Sequence, residues 1–349
     1  MRTSVKLDST FKINLFGHSN IVRGPASSQE LRSQGFRVFS HDHFSSRGYV
    51  EDKDPFGWAS RLLTQTRAGS HTLLQGPPGT GKNLTADYMA FRLNRPYVTF
   101  SMKEEGGMVA DWLGRTVLEP QDGLTVSKDL KGALRRAAEG CRIMRDGKEQ
   151  ILPAIICFSD VDRANPKQVD ILREALEVGK GQLFNPLTGE MYDICPGTVF
   201  VFTSNRGLDS DGGTGMLTNP IDASIGNRFR GVKVPKPTEA WEKDVVKRSN
   251  PDLPSNVINM IVKGCRALRT EAETAYMDVL QISVRDMVDA AREYPIALEI
   301  MGDPVLAVRF CLEGTIEKMT EEPSLEALRS SLVSICGELR KPSDTPFDS

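Results

Sequence analysis

Seven residues, Gly76-Pro77-Pro78-Gly79-Thr80-Gly81-Lys82, constrain this chain more than any other stretch. They follow the apolar run Thr72–Leu74 and open a helical segment near residues 83–94, so they form a strand-to-helix junction. The GxxxxGK spacing suits a loop whose glycines let backbone N–H groups wrap phosphate oxygens while Lys82 reaches the outer phosphates. The N-terminus of the following helix adds a favourable field for the anion. Predicted contacts to a nucleotide are therefore Gly76, Pro77, Pro78, Gly79, Thr80, Gly81, Lys82, Asn83 and Leu84. One position departs from the usual pattern: Asn83 stands where a Ser or Thr hydroxyl would bind Mg²⁺. An amide oxygen can ligate Mg²⁺, but it sits about one bond further from the backbone.

Around this loop, short apolar runs alternate with helical stretches, the signature of a parallel sheet built from βαβ units. Strands are predicted at His71–Gln75, Tyr97–Met102, Ala154–Phe158, Thr198–Thr203 and Gly231–Val234, with helices near 83–94, 129–145 and 166–178. In the last helix Asn165 is placed to cap, Pro166 to fill the first position and Gly179 to end it. Gly181–Ile194 reads as a β-hairpin turning at Thr188-Gly189. After Pro235-Lys236-Pro237 the pattern becomes helical only, near 238–249, 254–270, 283–294, 303–319 and 323–338. Ser283 with Asp286 has the spacing of a capping box. The expected organisation is an N-terminal extension over 1–54, partly ordered at best, an α/β core over 55–237, a small all-helical lid over 238–340 and a polar tail over 341–349.

Composition narrows the function classes. With 44 Lys+Arg against 46 Asp+Glu in 349 residues, the net charge is −2, which argues against holding nucleic acid by bulk charge. Basic residues do gather between Lys128 and Lys148, including Arg135 and Arg136. Without interleaved aromatic residues to stack on bases, a solvated helix or subunit contact is the better reading of them. No apolar run approaches the roughly 20 residues of a membrane span, and the first residues lack a secretory apolar stretch, so a cytoplasmic protein is expected. The six cysteines form no CxxC and sit mostly in apolar stretches, as reduced thiols packed like small hydrophobes. All four histidines lie in the first 71 residues, and His41-Asp42-His43 reads as a surface loop. Any catalysis is expected to run without histidine.

A phosphate-loop ATPase also needs a carboxylate at the end of a neighbouring strand to hold Mg²⁺, usually followed by a Glu that orients the attacking water. The candidate stretch is Ile155-Ile156-Cys157-Phe158-Ser159-Asp160-Val161-Asp162-Arg163-Ala164. Here the chain resembles the AAA+ ATPases, in their MoxR-like and dynein-related branch, whose motif is an apolar run, D-E-x-[ND]-R-A and a helix. Aligned on Asp162-Arg163-Ala164, Ser159 takes the metal-binding position and Asp160 that of the Glu. In the register one residue over, Asp160 meets the metal and Val161 replaces the base. Either way one acid is missing, and the candidates for the metal are Asn83, Ser159 and Asp160. Two accounts stand: Asp160 or Asp162 takes over and hydrolysis continues slowly, or ATP is bound as a structural or switching ligand.

The resemblance implies further roles. Asn205, ending the strand Val199–Ser204, matches the polar sensor of the γ-phosphate or attacking water. Met102–Asp129, with Gly106-Gly107 and Asp111–Arg115, is similar to the insert in this branch's second helix, and the 181–194 hairpin to those facing a ring pore. The Gly/Asp-rich loop Asn205–Gly215 resembles that of the ATPase subunit of aerobic cobalt chelatase. Asp222–Phe229 with Arg230 is similar to the stretch bearing an arginine finger, Arg228 being the better candidate and Arg230 the alternative. Arg285, early in a lid helix, matches the second sensor. A finger acts on a neighbour's nucleotide, so the resemblance implies a hexameric or similar ring. It also implies ATP with Mg²⁺ as cofactors, and remodelling or assembly of a partner protein. The rivals are a scaffold that binds ATP without turnover, a chelatase-type metal-insertion subunit and a nucleic-acid motor.

Overall fold

The structure is a computed structural model that describes residues 12–102, 109–121, 124–164, 166–177, 181–186, 188–205, 227–274, 282–317 and 322–339. Its centre is a five-stranded sheet of β1 (Thr72–Gln75), β2 (Tyr97–Ser101), β3 (Ile155–Ser159), β4 (Val199–Ser204) and β5 (Arg230–Lys233). The order is β5-β1-β4-β3-β2 and every pairing is parallel. Alternate residues of a strand face opposite sides. Ile155, Cys157, Val199 and Val201 pack one way, with Leu62 and Met89, while Ile156, Phe158, Phe200 and Phe202 pack the other, with Trp112 and Leu134. Burial on both faces explains why β3 and β4 read as continuous apolar runs rather than alternating ones. It also means that β1, β3 and β4 end side by side at the sheet's C-terminal edge, where open α/β sheets bind ligands.

All five predicted strands are present, each within a residue or two of its expected ends. Helix α1 (Lys82–Leu93) follows the phosphate loop, and α2 (Pro166–Arg173) follows β3. The proposed cap Asn165 and stop Gly179 lie outside the described residues.

Residues 129–145 are not the single helix expected. They divide into the end of a strand Leu124–Lys131, a helix Ala133–Glu139 and a strand Cys141–Arg145. Glycines punctuate both breaks. A Cβ on Gly132 would lie 2.3 Å from the Trp112 carbonyl oxygen, and Gly140 takes φ +84°. Cys141–Arg145 pairs with Lys148–Leu152 through Asp146-Gly147, both at positive φ. Asp-Gly at a two-residue hairpin turn is a strong local signal that the sequence reading did not use. Within the insert-like stretch, Gly106-Gly107 lies outside the described residues. Gly114–Gln121 pairs antiparallel with Leu124–Lys131 as a long exposed ribbon, and Gln182–Phe184 with Met191–Asp193 as the hairpin foreseen.

The N-terminal stretch is packed rather than loose from residue 12 onward. Lys12–Leu15 and His18–Val22 form a hairpin, and short helices follow at Ser28–Ser33 and His41–Ser45. Leu15, Phe16, Ile21, Phe39 and Phe44 are buried in the same cluster as Met89 and Tyr97. Scattered aromatic anchors, not periodicity, secure this segment.

Beyond residue 237 come α3 (Glu239–Ser249), α4 (Ser255–Thr274), α5 (Val284–Met301), α6 (Pro304–Ile316) and α7 (Glu322–Leu339). They enclose their own core around Ile261, Leu268, Met287, Ala291, Val308 and Leu312. The start of α5 is held as foreseen, with Asp286 Oδ2 accepting from the N–H and the hydroxyl of Ser283 at 2.7 and 2.8 Å. Among the described residues no helix is long and apolar enough to cross a membrane.

Candidate functional site

The phosphate loop is wedged between core and lid. Gly79 and Gly81 adopt φ +72° and +81°, which only glycine occupies without strain. A Cβ on Gly76 would come within 2.4 Å of the Val234 carbonyl oxygen, and one on Gly79 within 2.4 Å of Ser283 Cβ. Thr80 Oγ1 donates to the Pro77 carbonyl at 2.9 Å and closes the loop on itself.

Lys82 Nζ donates to the carbonyls of Gly76 and Pro77, both at 2.7 Å, and to Asn205 Oδ1 at 3.0 Å. Burial pulls the Lys82 ammonium down to about 8, while the charges of Asp160 and Asp162 act in the opposite sense. Asn205 Nδ2 in turn donates to Asp160 Oδ1 at 3.2 Å. Lys82, Asn205 and Asp160 thus form one hydrogen-bonded chain across the ends of β1, β4 and β3. Asp160 sits in the left-handed region, φ 57° and ψ 49°, at the point where the backbone leaves β3.

These residues line a cleft of about 980 Å³, together with Asn83, Leu84 and, from the lid, Arg285. Gly76 and Pro77 contribute by holding Lys82 rather than as walls. Other walls are apolar: Val245, Val284 and Val288 of the lid cluster with Val50 and Trp241, and Tyr49 also lines the cleft. A cleft that joins a cationic phosphate loop to apolar walls suits a phosphorylated ligand with a flat apolar moiety. Val50, Tyr49, Trp241 and Val245 were missed by the motif reading. They carry no motif and meet only because the lid folds back over residues 48–50.

Not every expected residue faces the cleft. Ser159 is buried, and its hydroxyl donates to the Phe100 carbonyl on β2 at 3.3 Å. Asp160 lines the cleft, as both registers considered for the acidic motif have it, whereas Ser159, the metal position of one register, is turned into the sheet because side chains alternate along β3. Arg228 stands apart from the cleft and donates to the Arg173 carbonyl at the end of α2. Arg230 is an exposed residue of β5. Most of the Gly/Asp-rich loop and residues 222–226 of the finger-like stretch lie outside the described residues.

The oxygen donors available to a Mg²⁺ ion are the Asn83 amide and the Asp160 carboxylate, both lining the cleft. One or two protein oxygens completed by phosphate and water is the usual arrangement for this ion, so the residues fit it. Among the described residues no group of three or more His, Cys, Asp or Glu could hold a metal by protein alone. His41-Asp42-His43 lies in a short helix, with His43 Nδ1 2.8 Å from Arg47 Nη1. All six cysteines are free, and burial raises the thiols of Cys141 and Cys157 to about 11 and 12.

The basic run Lys128–Lys148 is largely spent within the fold. Arg135 bridges Asp129 and Glu139 and stacks 3.8 Å from the centre of the Tyr192 ring. Lys128, Lys131, Arg142 and Arg145 pair with Glu119, Glu139, Glu149 and Glu30.

Residues 71–229 match the family described as AAA domain (dynein-related subfamily). The denitrification regulatory protein NirQ of Stutzerimonas stutzeri is 24% identical over 282 residues, covering 80% of this chain and 90% of that protein. The uncharacterized protein SH1500 of Staphylococcus haemolyticus is 23% identical over 284 residues, covering 80% and 95%. Among solved structures, the Thermotoga maritima RuvB Holliday junction branch migration motor aligns with a TM-score of 0.42 at 15% identity, covering 79% of this chain and 80% of that one.

Proposed function

Because residues 71–229 form an AAA domain of the dynein-related subfamily, we propose that this protein binds ATP in the cleft between core and lid and hydrolyses it. The observation that carries the reading is the Lys82–Asn205–Asp160 chain at the mouth of the phosphate loop. In that arrangement the loop amides and Lys82 hold the phosphates, and the apolar walls at Val50 and Trp241 take the base. Asn205 orients the attacking water and Asp160 accepts its proton. Arg285 offsets charge on the γ-phosphate from the lid, and Arg228 does so for the nucleotide of an adjoining copy in a hexameric or similar ring. Mg²⁺, held through the Asn83 amide with phosphate and water oxygens, would neutralise phosphate charge. A carboxylate facing the cleft where Ser159 does not is what favours turnover over a silent switch.

The work done by that turnover is, on this reading, the remodelling or assembly of a partner protein, in keeping with the regulatory role in the name of NirQ. The pairing of the 128–148 cations with acids of the same chain weighs against a nucleic-acid motor. The test is phosphate release from ATP with Mg²⁺ at ring-forming protein concentration, beside ATP binding on the same sample. Turnover lost in Lys82→Ala supports the ATPase. Tight binding without release makes the protein an ATP-dependent scaffold, and absence of binding removes both.

A further inference from the structure

We propose that Asp162 is a positioning residue of this site: its carboxylate anchors the backbone of Asn205, so that the Asn205 amide stays between Lys82 and Asp160. The inference rests on the ATPase reading above and adds a residue to it.

The backbone of β4 ends at Ser204, whose carbonyl accepts from Gly76 N at 3.3 Å. One residue on, the chain has left the ladder, and the Asn205 N–H has no neighbouring strand to bond. A backbone donor so placed must find another acceptor. It donates to Asp162 Oδ1 at 3.4 Å. The turn after β3 makes this possible. Asp160 in the left-handed region reverses the chain, and Val161–Arg163 forms a single 3₁₀ turn closed by Arg163 N to the Asp160 carbonyl at 2.8 Å. That turn carries residue 162 sideways from β3 onto the end of its neighbour β4.

Asp162 is only 7% exposed, a costly place for a carboxylate unless hydrogen bonds hold it there. The outcome is that Asn205 is fixed at three points. Its N–H is held by Asp162, its Oδ1 by Lys82 and its Nδ2 by Asp160. The two side-chain bonds require opposite ends of the amide, so only one orientation of the group satisfies both. Freeing the backbone point lets the amide turn away from the reacting water. Lys82 would still hold the carbonyls of Gly76 and Pro77, so binding of ATP is spared while turnover is not.

The experiment compares wild type, Asp162→Ala, Asp162→Asn, Asn205→Ala and the Asp162→Ala/Asn205→Ala double variant. Asp162→Ala is expected to lower turnover at least about tenfold, with the ATP dissociation constant within about threefold of wild type. Asp162→Asn keeps an acceptor oxygen of the same shape and should recover turnover to within about threefold. In the double variant Asp162→Ala should change turnover by less than about twofold beyond Asn205→Ala. Undiminished turnover in Asp162→Ala, equal losses in the Ala and Asn variants, or losses that multiply in the double variant each overturn the proposal. A second readout needs no hydrolysis: exchange of the Asn205 amide proton in nucleotide-free protein, expected to quicken at least about tenfold in Asp162→Ala but not in Asp162→Asn. Should wild type release no phosphate, the ATPase reading falls, while unchanged exchange of that proton in Asp162→Ala would refute the anchoring itself.

Discussion

Glu242 offers the most direct test of how the lid is held in shape for the cleft. Its side chain is fully buried in α3, yet its two carboxylate oxygens meet Arg266 Nη1 at 2.7 Å and Arg269 Nη1 at 2.9 Å, both from α4. Arg269 also reaches the Ile282 carbonyl at 2.9 Å, just ahead of α5. One carboxylate therefore ties together α3, α4 and the approach to α5. Removing it in Glu242→Ala deletes two charge-assisted hydrogen bonds, a gross loss of about 3–6 kcal/mol. The arginine side chains are 37% and 21% exposed, so they regain water in part, and the net cost falls to about 3 kcal/mol. For a unit of about 100 residues such as the lid, unfolding cooperatively, that corresponds to a drop in Tm of about 12–24 °C. Trp241 and Val245 on the same helix wall the cleft, so ATP affinity should weaken in parallel. The assay is thermal unfolding followed by circular dichroism, with nucleotide binding on the same samples. Adding Arg266→Ala to Glu242→Ala should cost less than Arg266→Ala does alone, since the partner is already gone. A Tm within about 2 °C of wild type would show that the buried pair is energetically idle and refute the reasoning.

Two further outcomes follow from the geometry. Gly79→Ala must place a methyl against Ser283 at positive φ, a backbone cost of about 1–2 kcal/mol, and should weaken ATP binding at least tenfold in a titration with labelled nucleotide; unaltered affinity would mean that the lid yields freely at Ser283. His71 is one pH-sensitive element: burial pulls its imidazole down to about 4, and Nδ1 accepts the Phe200 N–H at 3.2 Å. The unfolded chain takes up this proton near pH 6.5 and the folded one only near 4, so stability present above pH 6.5 is lost as the pH falls through that window, by up to about 3 kcal/mol. Denaturant titrations across the window should show that slope in wild type and its loss in His71→Phe.

Some of this site was readable before any coordinates. The phosphate loop is a contiguous motif whose glycines must take left-handed conformations, and Gly79 and Gly81 do so. Asp160 was found as an acid at the end of an apolar strand and Asn205 through the family resemblance, and a parallel sheet sends both strand ends to one edge. That Ser159 would be turned away from the cleft was not readable, since it turns on which side chain alternates outward at the end of β3 and on the left-handed reversal at Asp160. Residues 129–145 were read as one helix, whereas Gly132 and Gly140 break it and Asp146-Gly147 turns the hairpin that follows.

By itself the sequence determined the parallel α/β core, the helical lid and the loop that opens α1, because each depends on residues within a few positions of one another. Tertiary structure alone decided that Val50 would meet Trp241 and Val245, that Asp162 would bond Asn205, and that Glu242 would be buried between two arginines. Those contacts join segments far apart in the chain. Their partners are selected by the shape left when core and lid pack together, and no local pattern of residues encodes that shape.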